Sequence, residues 1–109
     1  MATNYKVLGQ SNPAATTATT LYTVPASTQA VVSTITIANQ AATAGTYRIS
    51  VRVAAAADNA KQYLIYDASL SANSTDTITL GITLGAADVV TVYASTTNFS
   101  FNAFGTELS

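Results

Sequence analysis

The sequence predicts an all-β fold, an antiparallel β-sandwich of seven to eight short strands with either a jelly-roll or an Ig-like topology. Apolar and polar residues alternate with a period of two along several segments, as they do in half-buried strands. Turn-forming residues separate these segments about every ten residues, a spacing typical of sandwiches and barrels. The length of 109 residues fits a single domain spanning residues 1–109.

The clearest strand is predicted at residues 46–54, because Tyr47 and Ile49 fall on one face of it and Arg48 and Arg52 on the other. Further strands with the same alternation are predicted at residues 30–39, 77–84, 88–95 and 99–103. Weaker strand signals lie at residues 5–9, 21–24 and 61–66.

Three local features modify this pattern. Gly81 predicts a bend or bulge within the strand at 77–84. The alanines at 54–57 have helical propensity, but four residues cannot nucleate a stable helix, so we expect a single turn inside a loop. Residues 1–4 are expected to form either a flexible arm that docks on a neighbour or a frayed end. On that basis, deletion of residues 1–10 should weaken attachment to a partner and leave the fold intact.

The composition argues against an enzyme. The chain contains no His, no Cys and no Trp, and only four basic and five acidic residues, whereas it has 21 Ala, 19 Thr and 10 Ser. His and Cys are the usual general bases and nucleophiles near neutral pH. Only Lys6 and Lys61 could activate a hydroxyl group, and neither lies in a catalytic motif. We therefore predict a structural or binding module without a cofactor.

The charged residues do not form a recognisable metal or nucleic-acid site. Asp58, Asp76 and Asp88 lie near predicted strand ends and could share a calcium ion, but aspartates at such positions more often cap turns. Because the basic residues form no run, nucleic acid is not an expected partner.

No membrane or export segment is expected. No stretch reaches the ~18 apolar residues that a membrane-spanning helix requires. Residues 1–10 lack an apolar segment long enough for a signal peptide. We therefore expect a soluble chain made in the cytoplasm, without a membrane partner.

Four side chains are candidate interface residues: Arg48, Arg52, Tyr66 and Tyr93. The two arginines could anchor an acidic neighbour across a subunit boundary, although an ordinary solvated face is an alternative. Tyrosine is frequent at interfaces, and the alternative for the two tyrosines is a cross-strand pair that stabilises the sheet. In a regular strand Tyr63 lies on the face opposite to Tyr66, so we expect its ring to be buried.

Five stretches of the chain carry a family resemblance: YKVLGQ at 5–10, TLYTVPA at 20–26, TYRISVR at 46–52, LGITL at 80–84 and FSFNAFG at 99–105. Together they resemble a family of small virion structural proteins of tailed bacteriophages, chiefly those that infect cyanobacteria. The resemblance spans nearly the whole chain.

The resemblance implies a capsid decoration, or cement, protein in the virion. Its expected partner is the major capsid protein or another virion protein, and it is expected to be a homotrimer at local three-fold axes. A protein that binds across capsomer joints stabilises the closed shell. Two alternatives stay open: a tail, baseplate or fibre component that contributes to host attachment, and a carbohydrate-binding module with Tyr66 and Tyr93 in its site.

Overall fold

A computed structural model describes residues 2–109 and shows two antiparallel β-sheets packed face to face. The nine strands are β1 (Thr3–Ser11), β2 (Thr19–Thr23), β3 (Gln29–Asn39), β4 (Gly45–Arg52), β5 (Tyr63–Leu70), β6 (Thr75–Ile78), β7 (Ile82–Leu84), β8 (Val89–Ala94) and β9 (Phe99–Leu108). Two short 3-10 turns, Val53–Ala55 and Ala60–Gln62, lie between β4 and β5. The predicted β-sandwich is confirmed.

The strand order identifies the topology as a jelly roll. One sheet, here called the five-stranded sheet, has the order β1-β9-β3-β6 with β7 also paired to β3, and the four-stranded sheet has the order β2-β8-β4-β5. Counting β6 and β7 as one interrupted strand, the first strand pairs with the last, the second with the second last, and so on inward. A long antiparallel hairpin rolled up in this way is a jelly roll, which decides between the two predicted topologies.

The structure has nine strands because the strand predicted at residues 77–84 is interrupted at Gly81. This glycine has a φ of +62°, in the left-handed region that glycine adopts without a steric penalty. The chain therefore leaves β3 after Ile78 and returns to it at Ile82. Leu80 lies in the unpaired segment between β6 and β7 and is 56% exposed.

The first residues differ from the expectation of an arm or a frayed end. The strand β1 already begins at Thr3, and Thr3 and Asn4 both pair with the end of β9. Ala2 also exchanges two backbone hydrogen bonds with Ser109. Met1 lies outside the described residues. The side chains of this segment are exposed. Backbone pairing alone extends the strand here, so the sequence shows no alternation of apolar and polar residues that would predict it.

The core between the sheets has an aromatic centre. Phe99 and Phe101 on β9 pack against Tyr47 on β4, with ring centroids 6.2 Å apart in both contacts. The other fully buried large side chains are aliphatic and come from both sheets: Val24, Val32, Ile35, Ile37, Ile49, Val90 and Val92. The predicted burial of the Tyr47 ring is confirmed.

Two tyrosine–carboxylate hydrogen bonds join the sheets. The Tyr22 hydroxyl donates to Glu107 Oε2 at 2.5 Å, and the Tyr47 hydroxyl donates to Asp76 Oδ2 at 2.8 Å. Burial, and then the bonded carboxylate, raise the pKa of each tyrosine. The hydrogen bond from Tyr22 lowers the pKa of Glu107, and Lys6, with its Nζ 3.2 Å from Glu107 Oε1, lowers it further.

We expect the free energy of unfolding to fall as the pH rises above about 10. The folded-state pKa of Tyr22 and of Tyr47 lies above the ordinary value of 10.0, so the unfolded chain releases these protons first. The stability that depends on them is therefore complete below pH 10.0 and is lost as the pH rises toward the folded-state pKa. Urea unfolding at about pH 8 and about pH 11 measures this loss.

Phenylalanine variants provide the control for this pH dependence. Tyr22→Phe and Tyr47→Phe should each cost about 1–3 kcal/mol at neutral pH, because each removes the tyrosine hydroxyl that donates to a carboxylate. Both should also reduce the alkaline loss of stability. An undiminished loss in the double variant would show that other groups cause it.

Candidate interaction surfaces

The outer face of the four-stranded sheet carries all four of the interface residues predicted from the sequence. Arg48 and Arg52 face outward from β4, because Ile49 points into the core and alternate residues of a strand lie on the same face. Tyr93 is the direct cross-strand partner of Arg48 on β8, and Tyr66 lies on β5 on the other side of β4.

Three of these four residues meet in one cluster. The guanidinium carbon of Arg48 lies 4.2 Å from the ring centroid of Tyr66 and 4.2 Å from that of Tyr93. Asp67 accepts hydrogen bonds from Arg48 Nε at 2.7 Å and from Nη2 at 3.2 Å. This bidentate bond raises the pKa of Arg48 and lowers that of Asp67. Two aromatic rings and a carboxylate thus hold a planar cation in a fixed orientation.

A β-bulge in β5 creates this arrangement. The register between β4 and β5 shifts at this point, so that Tyr66 and Asp67 together lie opposite the single residue Arg48. Asp67 has a φ of +52°, in the left-handed region that aspartate tolerates better than most residues. The bulge turns two consecutive side chains toward Arg48, which a regular strand could not do.

A second irregularity in β5 brings Tyr63 beside Tyr66. Ser50 of β4 pairs with Tyr63 while its neighbour in β4 pairs with Ile65, which leaves Leu64 as an extra residue. The expectation that Tyr63 and Tyr66 lie on opposite faces, with Tyr63 buried, is wrong because this residue shifts the alternation by one. The two rings meet edge to face, with centroids 4.9 Å apart and planes at 86°. Tyr63 is half-buried.

Arg52 lies on the same outer face but outside the cluster. Its Nε donates to Thr91 Oγ1 at 3.2 Å, and its Nη1 donates to the Ala56 carbonyl oxygen at 3.0 Å. Asp58 Oδ1 lies 3.8 Å from the same Nε. Both arginines therefore have acidic partners within the chain, and Arg52 fixes the segment after β4 against the sheet. That they bind an acidic neighbour in another subunit stays a prediction.

A groove lies beside the two tyrosines of β5. It has a volume of about 480 Å³ and is lined by Asp58, Asn59, Ala60, Tyr63 and Tyr66. Reciprocal hydrogen bonds fix the segment that enters β5. Asn59 Oδ1 accepts from the Lys61 N–H, and Gln62 Oε1 accepts from the Asn59 N–H. The sequence analysis identified Tyr66 but not this groove, because the groove depends on the irregular path of β5.

The three aspartates considered as metal ligands have separate structural contacts. Asp88 accepts hydrogen bonds from the Ala54 and Gly85 N–H groups and so joins two loops. Asp58 and Asp76 each pair with a side chain of β4. Among residues 2–109, no group of three His, Cys or acidic residues is placed to hold a metal ion. In the same part of the chain, no helix has the length and apolar character that crossing a membrane demands.

The outer face of the five-stranded sheet is uncharged, and it was not predicted from the sequence. Its exposed apolar side chains are Tyr5 and Val7 on β1 and Phe104 on β9, which are 83%, 47% and 37% exposed. Val7 and Phe104 are direct cross-strand partners. Around them the face is polar but neutral, with a row of paired residues across four strands: Gln10, Asn102, Thr36 and Thr77.

None of the nine charged side chains lies on this face. Three of them belong to strands of the five-stranded sheet, namely Lys6, Asp76 and Glu107, and these face the opposite sheet or its edge, where they pair with each other or with tyrosines. The sequence signal for this face was the absence of charge over residues 7–47 and 89–106. Those two runs include β3, most of β9 and half of β1, and also β2 and β8 of the four-stranded sheet.

No family model, curated protein or solved structure matches this chain. The two outer faces of the sandwich differ in their chemistry. One carries paired charges, aromatic rings and a groove, whereas the other is uncharged and partly apolar.

Proposed function

We propose that this chain is a structural protein of a tailed-phage particle, a capsid decoration protein that binds the outside of the shell and stabilises contacts between capsomers. The observation that carries the proposal is the uncharged outer face of the five-stranded sheet. The partner, the major capsid protein or another virion protein, follows from the family resemblance of the sequence. The homotrimer that the resemblance implies belongs to the same proposal.

An uncharged face with exposed aromatic side chains has the character of a protein interface. Interface cores are depleted in charged residues and enriched in aromatic ones. Docking through this face removes no charged side chain from water, so it avoids the desolvation penalty that buried charges impose. Burial of Tyr5, Val7 and Phe104 contributes favourable free energy in proportion to the apolar area covered.

Decoration of a shell also has a simple thermodynamic effect. A chain that binds the closed shell more tightly than separate capsomers shifts the equilibrium toward the closed shell. Many copies make small individual contributions add up. Jelly-roll domains occur in viral capsids and in lectins, although fold alone does not assign a function.

A charge placed on the uncharged face should prevent attachment. We expect Val7→Glu to weaken binding to shells by a factor of ten or more, because the carboxylate would be buried without a partner; a factor of ten is about 1.4 kcal/mol. The assay is co-sedimentation of the purified chain with shells of the major capsid protein that lack it.

The matched control is Leu64→Glu on β5. Leu64 and Val7 are both apolar strand residues of nearly equal exposure, 45% and 47%, but they lie on opposite sheets. Leu64→Glu should bind shells like the unmodified chain, and urea unfolding should show that both variants are folded. Equal loss of binding in the two variants, or none in Val7→Glu, would contradict the proposed attachment face.

Immunogold labelling of intact particles tests the location independently. Gold over the head supports decoration of the capsid. Gold at the tail would overturn it and favour the tail, baseplate or fibre role.

A further inference from the structure

The groove beside Tyr63 and Tyr66 has two aromatic walls at right angles. Tyr66 is 58% exposed although Arg48 stands over its ring, so aromatic surface is accessible from the groove. The ring of Tyr63 stands at 86° to it. The negatively polarised face of such a ring attracts weakly positive C–H groups. The corner between the rings therefore fits a ligand with an apolar C–H surface.

Polar groups of complementary kinds lie next to these rings. The Asp58 side chain is 65% exposed, and within residues 2–109 its one ionic contact is the long one of 3.8 Å to Arg52, so its carboxylate can accept further hydrogen bonds. Asn59 uses its Oδ1 within the chain, whereas its Nδ2 donates to no atom of the described residues. The Asp58 carboxylate can thus accept a hydrogen bond beside the Asn59 amide, which can donate one. Two adjacent hydroxyl groups of a ligand fit this pair, because each hydroxyl group both donates and accepts.

Hydrogen bonds within the chain hold both walls of the groove in place. The hydrogen bonds between Asn59 and Gln62 hold one wall, and a further bond from Gln62 Nε2 to the Ala57 carbonyl oxygen fixes the approach to it. On the other wall, Arg48 is bonded to Asp67 and holds the Tyr66 ring. A preorganised site loses less conformational entropy on binding than a mobile one.

From these contacts we propose that the groove binds a neutral pyranose unit of a glycan. The C–H face of the sugar packs against the tyrosine rings, and two adjacent hydroxyl groups bond to Asp58 and Asn59. The volume of about 480 Å³ lies within the range of about 300–1,000 Å³ that is usual for small-ligand sites. Among the five lining residues Asp58 alone is charged, which favours a neutral sugar over an anionic one.

The groove lies where a chain attached to a particle can present it to the surroundings. The outer faces of two packed sheets point in opposite directions, so a chain attached through its five-stranded sheet presents the groove away from the shell. This display rests on the proposed function, whereas sugar binding by the groove does not.

Titration of the purified full chain with defined oligosaccharides tests the inference. The neutral probes are maltotetraose, cellotetraose, chitotetraose and β-1,4-galactotetraose, and the anionic probe is tetragalacturonate. The chain has no Trp, so its tyrosine fluorescence is directly readable, and the tyrosine ring resonances in NMR locate the site. At least one neutral probe should shift the resonances of Tyr63 and Tyr66, and tetragalacturonate should not.

Alanine variants then assign the site. Tyr63→Ala and Tyr66→Ala should each weaken binding of that probe by about tenfold or more, which is about 1.4 kcal/mol. Tyr66→Phe should retain binding within about threefold, because the ring is the group that packs on the sugar. The matched control is Tyr5→Ala, which removes an 83% exposed tyrosine from the opposite sheet and should leave binding unchanged.

Three results would overturn the inference. The first is that no neutral probe shifts the tyrosine resonances at about 10 mM, which is tenfold above a Kd of about 1 mM. The second is that Tyr63→Ala and Tyr66→Ala bind the neutral probe as tightly as the unmodified chain. The third is that tetragalacturonate binds more tightly than the neutral probes. The Val7→Glu variant separates the two proposals, since it should lose shell binding and keep sugar binding. Failure of sugar binding with normal shell binding would remove only the glycan site.

Discussion

Replacement of Phe101 by alanine is expected to lower the free energy of unfolding by about 3–5 kcal/mol. The ring is completely buried and lies 6.2 Å from the Tyr47 ring and 6.4 Å from the Phe99 ring, centroid to centroid. Its loss opens a cavity at the centre of the core, which the surrounding packed side chains can fill only in part. The Tyr47 ring, whose hydroxyl bonds to Asp76 on the other sheet, loses a packing partner as well.

Phe104→Ala is the matched control for this experiment. Phe104 lies on the same strand, but its ring points to the outer face and is 37% exposed. Its removal from the isolated chain should cost about 1 kcal/mol or less. Urea unfolding followed by far-UV circular dichroism measures both variants. Similar losses for the two would mean that the aromatic centre is not the principal source of stability.

The sandwich was predictable because its inward positions repeat with a period of two. Ile35 and Ile37 on β3 and Phe99 and Phe101 on β9 are all completely or almost completely buried, and each pair is two residues apart in the chain. Alternation of this kind depends only on near neighbours in sequence, so it can be read without knowledge of the strand pairing.

The path of β5 was not predictable in the same way. Neither Leu64 nor Asp67 is a glycine or proline, so no local signal marks the two irregularities. A shift of one residue moves a side chain to the other face, and this displaced Tyr63 from its expected position. The other irregularity, the bulge at Tyr66 and Asp67, brought Asp67 to Arg48. Whether a strand is bulged depends on how it pairs with its partner, here β4, and not on its own residues alone.

The candidate surfaces were likewise predictable from the sequence only in part. Arg48, Tyr66 and Tyr93 were predicted as exposed residues, but their contact follows from the order β8-β4-β5. The uncharged face combines β1, β9 and β3, which are distant in the chain and adjacent in the sheet. The lack of charge was visible in the sequence, whereas its concentration on one face became visible only with the strand order and register.

Deletion of residues 1–10 is expected to abolish cooperative folding, contrary to the expectation from the sequence alone. The deletion removes nearly all of β1, which pairs with β9 and contributes Leu8 to the core. The strand also packs closely on the other sheet, since a Cβ at Gly9 would lie 2.0 Å from the Leu21 carbonyl oxygen. Without β1, the edge of β9 and one end of the core become exposed, and Glu107 loses Lys6.

The control is a chain that lacks only Ala2, which keeps the whole of β1. It should unfold in one transition, within about 1 kcal/mol of the full chain. The chain without residues 1–10 should show no cooperative thermal transition by circular dichroism and should elute as aggregated or expanded material. A sharp transition there would mean that β1 is dispensable for the fold and available as a docking arm. Because loss of folding also abolishes attachment, only a point variant such as Val7→Glu can assign the attachment face.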